Sequence, residues 1–215
     1  MPIEVLLADD HSIMRAGLRA LLESRIDMTV TGEAQNGREA LNLACEIRPD
    51  VVIMDVSMPG LNGVDATKLI IEALDTVRVI ALSMHADRRF VEGMLMAGVS
   101  GYLLKDCVPE ELVTAIRTVA RGHIYLSPTI ADTVVRNYLG HLSLQTKSPQ
   151  PVLTCREREV VQLIAEGRGT KQIAATLHIS PKTVETHRRR VMEKLELSSI
   201  ADLIKFAIRE GITSL

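Results

Sequence analysis

RPDVVIMDVSMPGLNG, residues Arg48 to Gly63, sets four consecutive apolar residues, Val51 to Met54, directly before a single carboxylate, Asp55. A strand without polar alternation is buried on both faces, and such strands belong to parallel sheets covered by helices. Asp55 is the residue that this strand delivers to its carboxyl end, where ligands and chemistry collect in open α/β sheets. Met58, Pro59, Gly60, Asn62 and Gly63 follow with turn chemistry.

On either side, the first 125 residues alternate strand and helix five times. Predicted strands cover Ile3 to Ala8, Met28 to Ala34, the run ending at Asp55, Val77 to Leu82, and Ser100 to Leu104. Amphipathic segments separate them, the first with Met14, Leu18, Leu21 and Leu22 on one face, and the fifth helix opens at Pro109 ahead of Glu110 and Glu111. Five such units with short connections predict an α/β fold, a doubly wound five-stranded parallel sheet. That topology brings Asp9, Asp10, Asp55, Ser83 and Lys105 to one rim. Converging carboxylates with a nearby backbone carbonyl make a hard oxygen site of the kind Mg²⁺ accepts. An incoming phosphoryl group would meet Asp55 as nucleophile, with the Lys105 ammonium and the Ser83 hydroxyl on its other oxygens. Seen singly, Asp9 or Asp10 reads as a helix cap and Lys105 as a solvated charge. Four separate strand ends converging on one rim set the group apart.

The pattern Asp9 Asp10, then Asp55 with Met58, Pro59 and Gly63, then Ser83, then Tyr102 and Lys105 within SGYLLKD resembles the receiver domain of two-component response regulators. The resemblance implies that Asp55 accepts phosphate from a sensor histidine kinase and that Ser83 and Tyr102 form a switch pair. It also implies that Asp10 and Asp55, the carbonyl of Ser57, and Asp9 through water hold Mg²⁺. Ser83 stands where threonine is more frequent, and Asp106 where many receivers have proline, which leaves the geometry of that peptide open. Other classes fail on particular residues. A Rossmann domain needs a glycine-rich first turn, and here that turn is Asp9 to Ser12; a haloacid dehalogenase has a second acid where Ser57 stands. His11 and His85 lie near the site but lack a third ligand of the kind zinc needs.

Composition is that of an ordinary globular chain: 215 residues, 47% hydrophobic, 24% charged, net charge -2. No apolar run spans a bilayer, and the N-terminus lacks a basic leader, so a cytoplasmic protein without membrane contact is expected. Cys45, Cys107 and Cys155, widely spaced and odd in number, suit a reducing compartment and offer no metal or disulfide framework. The charge is uneven. Residues 1–126 hold 12 basic against 18 acidic residues, whereas residues 151–215 hold 11 against 8, as befits two domains of which the second meets a polyanion.

After Gly122 the pattern changes. A short helix is expected from Thr129 to Leu139, then a polar tether, SLQTKSPQP, within a linker of residues 126–150. Residues 151–215 read as four helices. Thr154 with Glu157 forms a capping box, Thr170 caps a short second helix, and His178 with Ile179 makes a tight turn. Ser180 and Pro181 then open a third helix reaching Leu195. On that third helix Val184, Val191 and Leu195 share one stripe, opposite Lys182, Glu185, Thr186, Arg189 and Arg190, groups that reach phosphates and base edges. By itself such a face is most often merely solvated.

LTCREREVVQLIAEG, TKQIAATLHIS and PKTVETHRRRVMEKLEL together resemble the LuxR-type helix-turn-helix domain, and a receiver followed by it is the architecture of the NarL/FixJ family. The resemblance implies insertion of the third helix into the major groove. It puts Glu185, Thr186 and Arg189 at base-reading positions and Lys182, Thr183, Arg188 and Lys194 near phosphates. A regulator rather than an enzyme is expected: a response regulator that binds a double-stranded DNA operator, meets RNA polymerase and forms a homodimer when phosphorylated. Its alternative is a constitutive DNA-binding regulator with a vestigial receiver, which an intact acid pocket argues against. An RNA-binding antiterminator would need a different output domain.

Overall fold

The structure, a computed structural model, describes residues 1–84, 86–143 and 153–213, with the backbone alone from 137 to 143. The chain divides into two compact units, Met1–Gln145 and Thr146–Leu215. Of the tether expected from Ser143 to Pro151, Ser143 ends a helix and the rest lies outside the described residues, as does the expected neighbour His85.

In the first unit, β1 (Ile3–Ala8), β2 (Met28–Ala34), β3 (Val51–Asp55), β4 (Arg78–Ser83), β5 (Gly101–Leu104) and β6 (Tyr125–Leu126) form one sheet in the order β2-β1-β3-β4-β5-β6. Every pairing is parallel. The five expected strands are present, and β6 adds a sixth at the edge, pairing Tyr125 with Gly101 and Leu126 with Tyr102. The helices are α1 (Ser12–Glu23), α2 (Gly37–Ile47), α3 (Gly63–Ala73), α4 (Arg88–Met96), α5 (Pro109–Ala120) and α6 (Pro128–Ser143).

Strand geometry explains the unbroken apolar runs, because successive side chains point to opposite faces. Leu6, Val52 and Met54 pack with Ala40, Ala66, Ile70 and Met94 on one face. Val5, Leu7 and Ile53 pack with Leu18, Leu22, Leu112 and Ile116 on the other. In β3 and β4, covered on both faces, polar residues stand only at the strand ends, and the strand order reverses between β1 and β3. The carboxyl ends of those two strands are the switch point at which ligands bind in such sheets.

The second unit contains α7 (Cys155–Ala165), α8 (Thr170–Thr176), α9 (Pro181–Lys194) and α10 (Ile200–Arg209). Val191 packs with Val161, Leu203 and Ala207, while Val184 packs with Val160, Leu163 and Ile173. α9 is thereby held along one stripe and leaves the opposite side to solvent. The α8–α9 turn needs His178 in the left-handed region (φ 52°), a conformation histidine tolerates better than most residues. No helix among the described residues is long and apolar enough to cross a membrane.

Candidate functional site

β1 and β3 end side by side; Asp9 directly follows Ala8, the last residue of β1, and Asp55 is the last residue of β3. Asp9 and Asp55 are 2% and 3% exposed, and the Lys105 ammonium, reaching in from the end of β5, lies 2.8 Å from Asp9 Oδ2 and 2.7 Å from Asp55 Oδ2. Toward Asp55 it donates a hydrogen bond. Toward Asp9 Oδ2 it forms a second charge-assisted contact, so one ammonium is shared by two buried carboxylates. The other Asp55 oxygen accepts the Ser57 N–H at 3.1 Å. That turn is tight by construction: a Cβ on Gly63 would stand 2.0 Å from the Asp55 carbonyl oxygen, so only glycine fits there. Asn62 caps α3 by accepting the Asp65 N–H at 2.9 Å, which fixes where the loop ends.

Electrostatics follow from the count of charges. Burial pushes the Asp55 carboxyl above the ordinary carboxylate range; the Lys105 hydrogen bond pulls it back, and the neighbouring Asp9 charge pushes it up again. Burial lowers the Lys105 ammonium, but Asp55 and Asp9 outweigh it and the ammonium is held protonated. Carboxylate oxygens of Asp9, Asp10 and Asp55 and a ring nitrogen of His11 all lie within 4.8 Å of one another, so the cluster can hold a metal ion. Three carboxylates, all hard oxygen donors, beside a single ammonium fit a hard divalent cation such as Mg²⁺. Ser83, at the end of β4, and Tyr102, in β5, are both fully buried. The tyrosine hydroxyl is hydrogen-bonded to Ser83, and burial pushes its pKa up to about 12. The Lys105–Asp106 peptide is trans, which closes the question left by the missing proline.

Two contributors to this site escaped the sequence reading. Arg15, 8% exposed, donates from Nη1 to the Asp9 carbonyl oxygen at 2.6 Å and from Nε to Glu33 at 3.1 Å, so it braces the turn that carries the acids. A signal existed, since Arg15 stands three and seven residues before Leu18 and Leu22 on the apolar face. His11, placed near the site but set aside as a zinc ligand for want of a third donor, holds Nδ1 2.8 Å from Asp10 Oδ1 and 3.1 Å from Asp9 Oδ1.

In the second unit the capping box forms as read. Thr154 Oγ1 accepts the Glu157 N–H at 3.2 Å, and Glu157 accepts the Thr154 N–H at 2.9 Å. Thr170 does not cap α8. Gly169 is the N-cap, its N–H donating to Gln172 at 2.9 Å, and Thr170 is the first residue of the helix. Its hydroxyl is thereby free to reach across to α9, where it donates to Glu185 Oε1 at 2.8 Å. Lys182, Arg189 and Arg190 are exposed on α9, and Thr186 is half-buried with its hydroxyl donating to the Lys182 carbonyl at 2.9 Å. Thr183 Oγ1 shares a hydrogen bond of 2.8 Å with Ser180. Arg188 pairs with Glu185 at 2.5 Å. Lys194, expected near a phosphate, lies 2.8 Å and 3.0 Å from the two oxygens of Glu157, a 5% exposed residue of α7. That ammonium ties α9 to α7.

The family model for the response regulator receiver domain matches residues 5–117, and that for the luxR family of bacterial regulatory proteins matches residues 151–207. MctR, a transcriptional regulatory protein of Rhizobium johnstonii, is 40% identical over 212 residues, 99% of this chain and 96% of MctR. The oxygen regulatory protein NreC of Staphylococcus carnosus is 37% identical over 214 residues, 98% of this chain and 99% of NreC. Among solved structures, RcsB from Salmonella enterica serovar Typhimurium, bound to promoter P1flhDC in the presence of phosphomimetic BeF3-, aligns with a TM-score of 0.61 at 25% identity, covering 99% of this chain and 100% of that one. An acid rim on a parallel sheet, followed by a helix-turn-helix unit, defines a two-component response regulator that acts on transcription. The chain belongs to the NarL/FixJ family, whose members are DNA-binding regulators and not enzymes.

Proposed function

We propose that Asp55 is the phosphoacceptor and that a sensor histidine kinase supplies the phosphoryl group. The observation that carries this reading is the Lys105 ammonium set between Asp9 and Asp55 at 2.8 and 2.7 Å, at the switch point of the sheet. An Asp55 carboxylate oxygen attacks phosphorus, the bond from phosphorus to the kinase imidazole breaks, and the imidazole leaves to take a proton from solvent. Lys105 then exchanges its ion pair with Asp55 for one with a phosphoryl oxygen. Asp10, Asp55, the Ser57 carbonyl and, through water, Asp9 would hold Mg²⁺, which supplies charge neutralisation on the phosphoryl group when bound. Ser83, meeting the third oxygen, would alter its bond to Tyr102 and so carry the event to the face around α4 and α5.

The domain division follows the same reading: a receiver of residues 1–125, a linker of 126–150 and a DNA-binding domain of 151–215 in a cytoplasmic regulator. There α9 enters the major groove, with Glu185, Thr186 and Arg189 at base edges and Lys182, Thr183 and Arg188 near phosphates; Lys194 is assigned to the tie with Glu157. One such helix covers too few bases to select a site in a genome, so phosphorylation acts by favouring a homodimer on two half-sites, from which RNA polymerase is regulated. The test is incubation with a small phosphodonor and Mg²⁺. One hydroxylamine-labile phosphate should be added and Asp55→Asn should abolish it, whereas labelling undiminished in that variant sinks the assignment. DNA affinity equal with and without beryllofluoride would favour the constitutive regulator instead.

A further inference from the structure

Glu185 is an acid on the face of α9 that the proposed function sets against DNA, and it is held in place. Its Oε1 accepts the Thr170 hydroxyl from α8 at 2.8 Å, its Oε2 pairs with Arg188 at 2.5 Å, and its side chain is still 44% exposed. Phosphates repel a carboxylate, so Glu185 lowers affinity for every duplex except one that offers it a donor in the right place. An ionised carboxylate only accepts hydrogen bonds, and each oxygen has a second lone pair after meeting Thr170 or Arg188. In the major groove guanine presents acceptors at N7 and O6 and thymine an acceptor at O4, both repulsive to it. Adenine pairs its N6 donor with an acceptor at N7. Cytosine alone presents the N4 amino group without an adjacent acceptor of its own.

We infer that Glu185, oriented by Thr170 and Arg188, makes this regulator require cytosine at one position of each operator half-site. Thr170 acts as a positioning residue, because fixing the carboxylate from a second helix removes the rotamer freedom by which a glutamate would swing away from an unfavourable base. The inference rests on the proposed insertion of α9 into the major groove. Both the attraction to cytosine and the exclusion of guanine and thymine then come from one side chain.

The test is selection of bound duplexes from a random pool by the full-length chain, with beryllofluoride and Mg²⁺ present, for the wild type, Glu185→Gln and Thr170→Val. The wild type should enrich a motif with cytosine at one position per half-site. Glu185→Gln should keep the remaining motif and relax that position by about tenfold, since its amide adds a donor that guanine, adenine and thymine accept. Thr170→Val should keep cytosine first but with discrimination reduced severalfold, at that position alone. Identical preferences in wild type and Glu185→Gln overturn the inference while leaving DNA binding intact. Enrichment of no motif by the wild type overturns the DNA-binding reading, and the inference with it.

Discussion

In the N-terminal unit one ammonium, Lys105, lies between two buried carboxylates, Asp9 and Asp55; in the C-terminal unit one ammonium, Lys194, lies against a single buried carboxylate, Glu157. The pairs are built alike and end in opposite states. Burial raises Asp55, and its hydrogen bond to Lys105 does not compensate, because the ammonium is shared and Asp9 adds a like charge. Burial also raises Glu157, yet there Lys194 and the donors of Thr154 win, and the carboxyl is held below its ordinary range. The difference is one of stoichiometry. A buried acid with its own cation and two further donors is finished structure, whereas two acids sharing one cation still attract positive charge, which is what the proposed metal site requires.

Removing each lysine should separate the two cases, and the larger effect belongs to the N-terminal pair. Lys105→Met leaves two carboxylates, whose side chains are 3% and 4% exposed, without any cation, and should cost about 3 kcal/mol at neutral pH without divalent ions. Adding Asp9→Asn to that variant should recover part of the loss by removing the like charge. Urea unfolding followed by tyrosine fluorescence reports this unit selectively, since the chain has no tryptophan and its three tyrosines are Tyr102, Tyr125 and Tyr138. A cost below about 1 kcal/mol would mean that Lys105 contributes little to holding the acids together.

The C-terminal counterpart is milder. Lys194 is 41% exposed, so solvent screens its pair, and Lys194→Met should cost about 1 kcal/mol, read from the helical signal in circular dichroism. The same variant sharpens the assignment of Lys194. If the ammonium serves Glu157, the salt dependence of DNA binding keeps its slope, whereas Lys182→Ala should flatten that slope by about one. A slope flattened equally by both variants would return Lys194 to the phosphate contacts.

What could be read in the sequence divides along the same line. Asp55, Ser83 and Lys105 were legible because unbroken apolar runs mark strands buried on both faces, which leave a polar residue to the strand end, and strand ends of a parallel sheet share a rim. The capping box of Thr154 and Glu157 was legible because its residues lie three apart. β6 was not, for a strand of two residues has no period and exists only through its pairing with β5. Nor was the pairing of Glu157 with Lys194, 37 residues apart, or of Thr170 with Glu185, which depends on the angle between helices. Local spacing reveals faces and caps; it does not reveal which two faces meet.

The smallest effect is the most pointed, because its sign differs between the units. The Asp55 carboxyl is raised in the folded state, so the folded chain keeps a proton that the unfolded chain has already released. Its ionised form therefore opposes folding: stability falls as pH rises from the unfolded value of about 4 through the raised value, and the deficit is complete above it. Asp55→Asn removes that deficit. Without divalent ions the variant should be more stable than the wild type at pH 7, and its advantage should shrink as the pH falls toward 4. Glu157 is depressed in the folded state, so its contribution is present above the unfolded value of about 4 and fades as pH falls through the folded value. Glu157→Gln should be less stable at pH 7 by about 1 kcal/mol, with the deficit closing on acidification. Both differences vanish in acid, but from opposite sides. Asp27 and Glu33, whose carboxyls are lowered by Arg117 and Arg19, also titrate in the first unit, so each comparison is made as variant against wild type at every pH. An Asp55→Asn advantage that grows on acidification would show that Lys105 already satisfies Asp55, and the contrast between the two lysines would be lost.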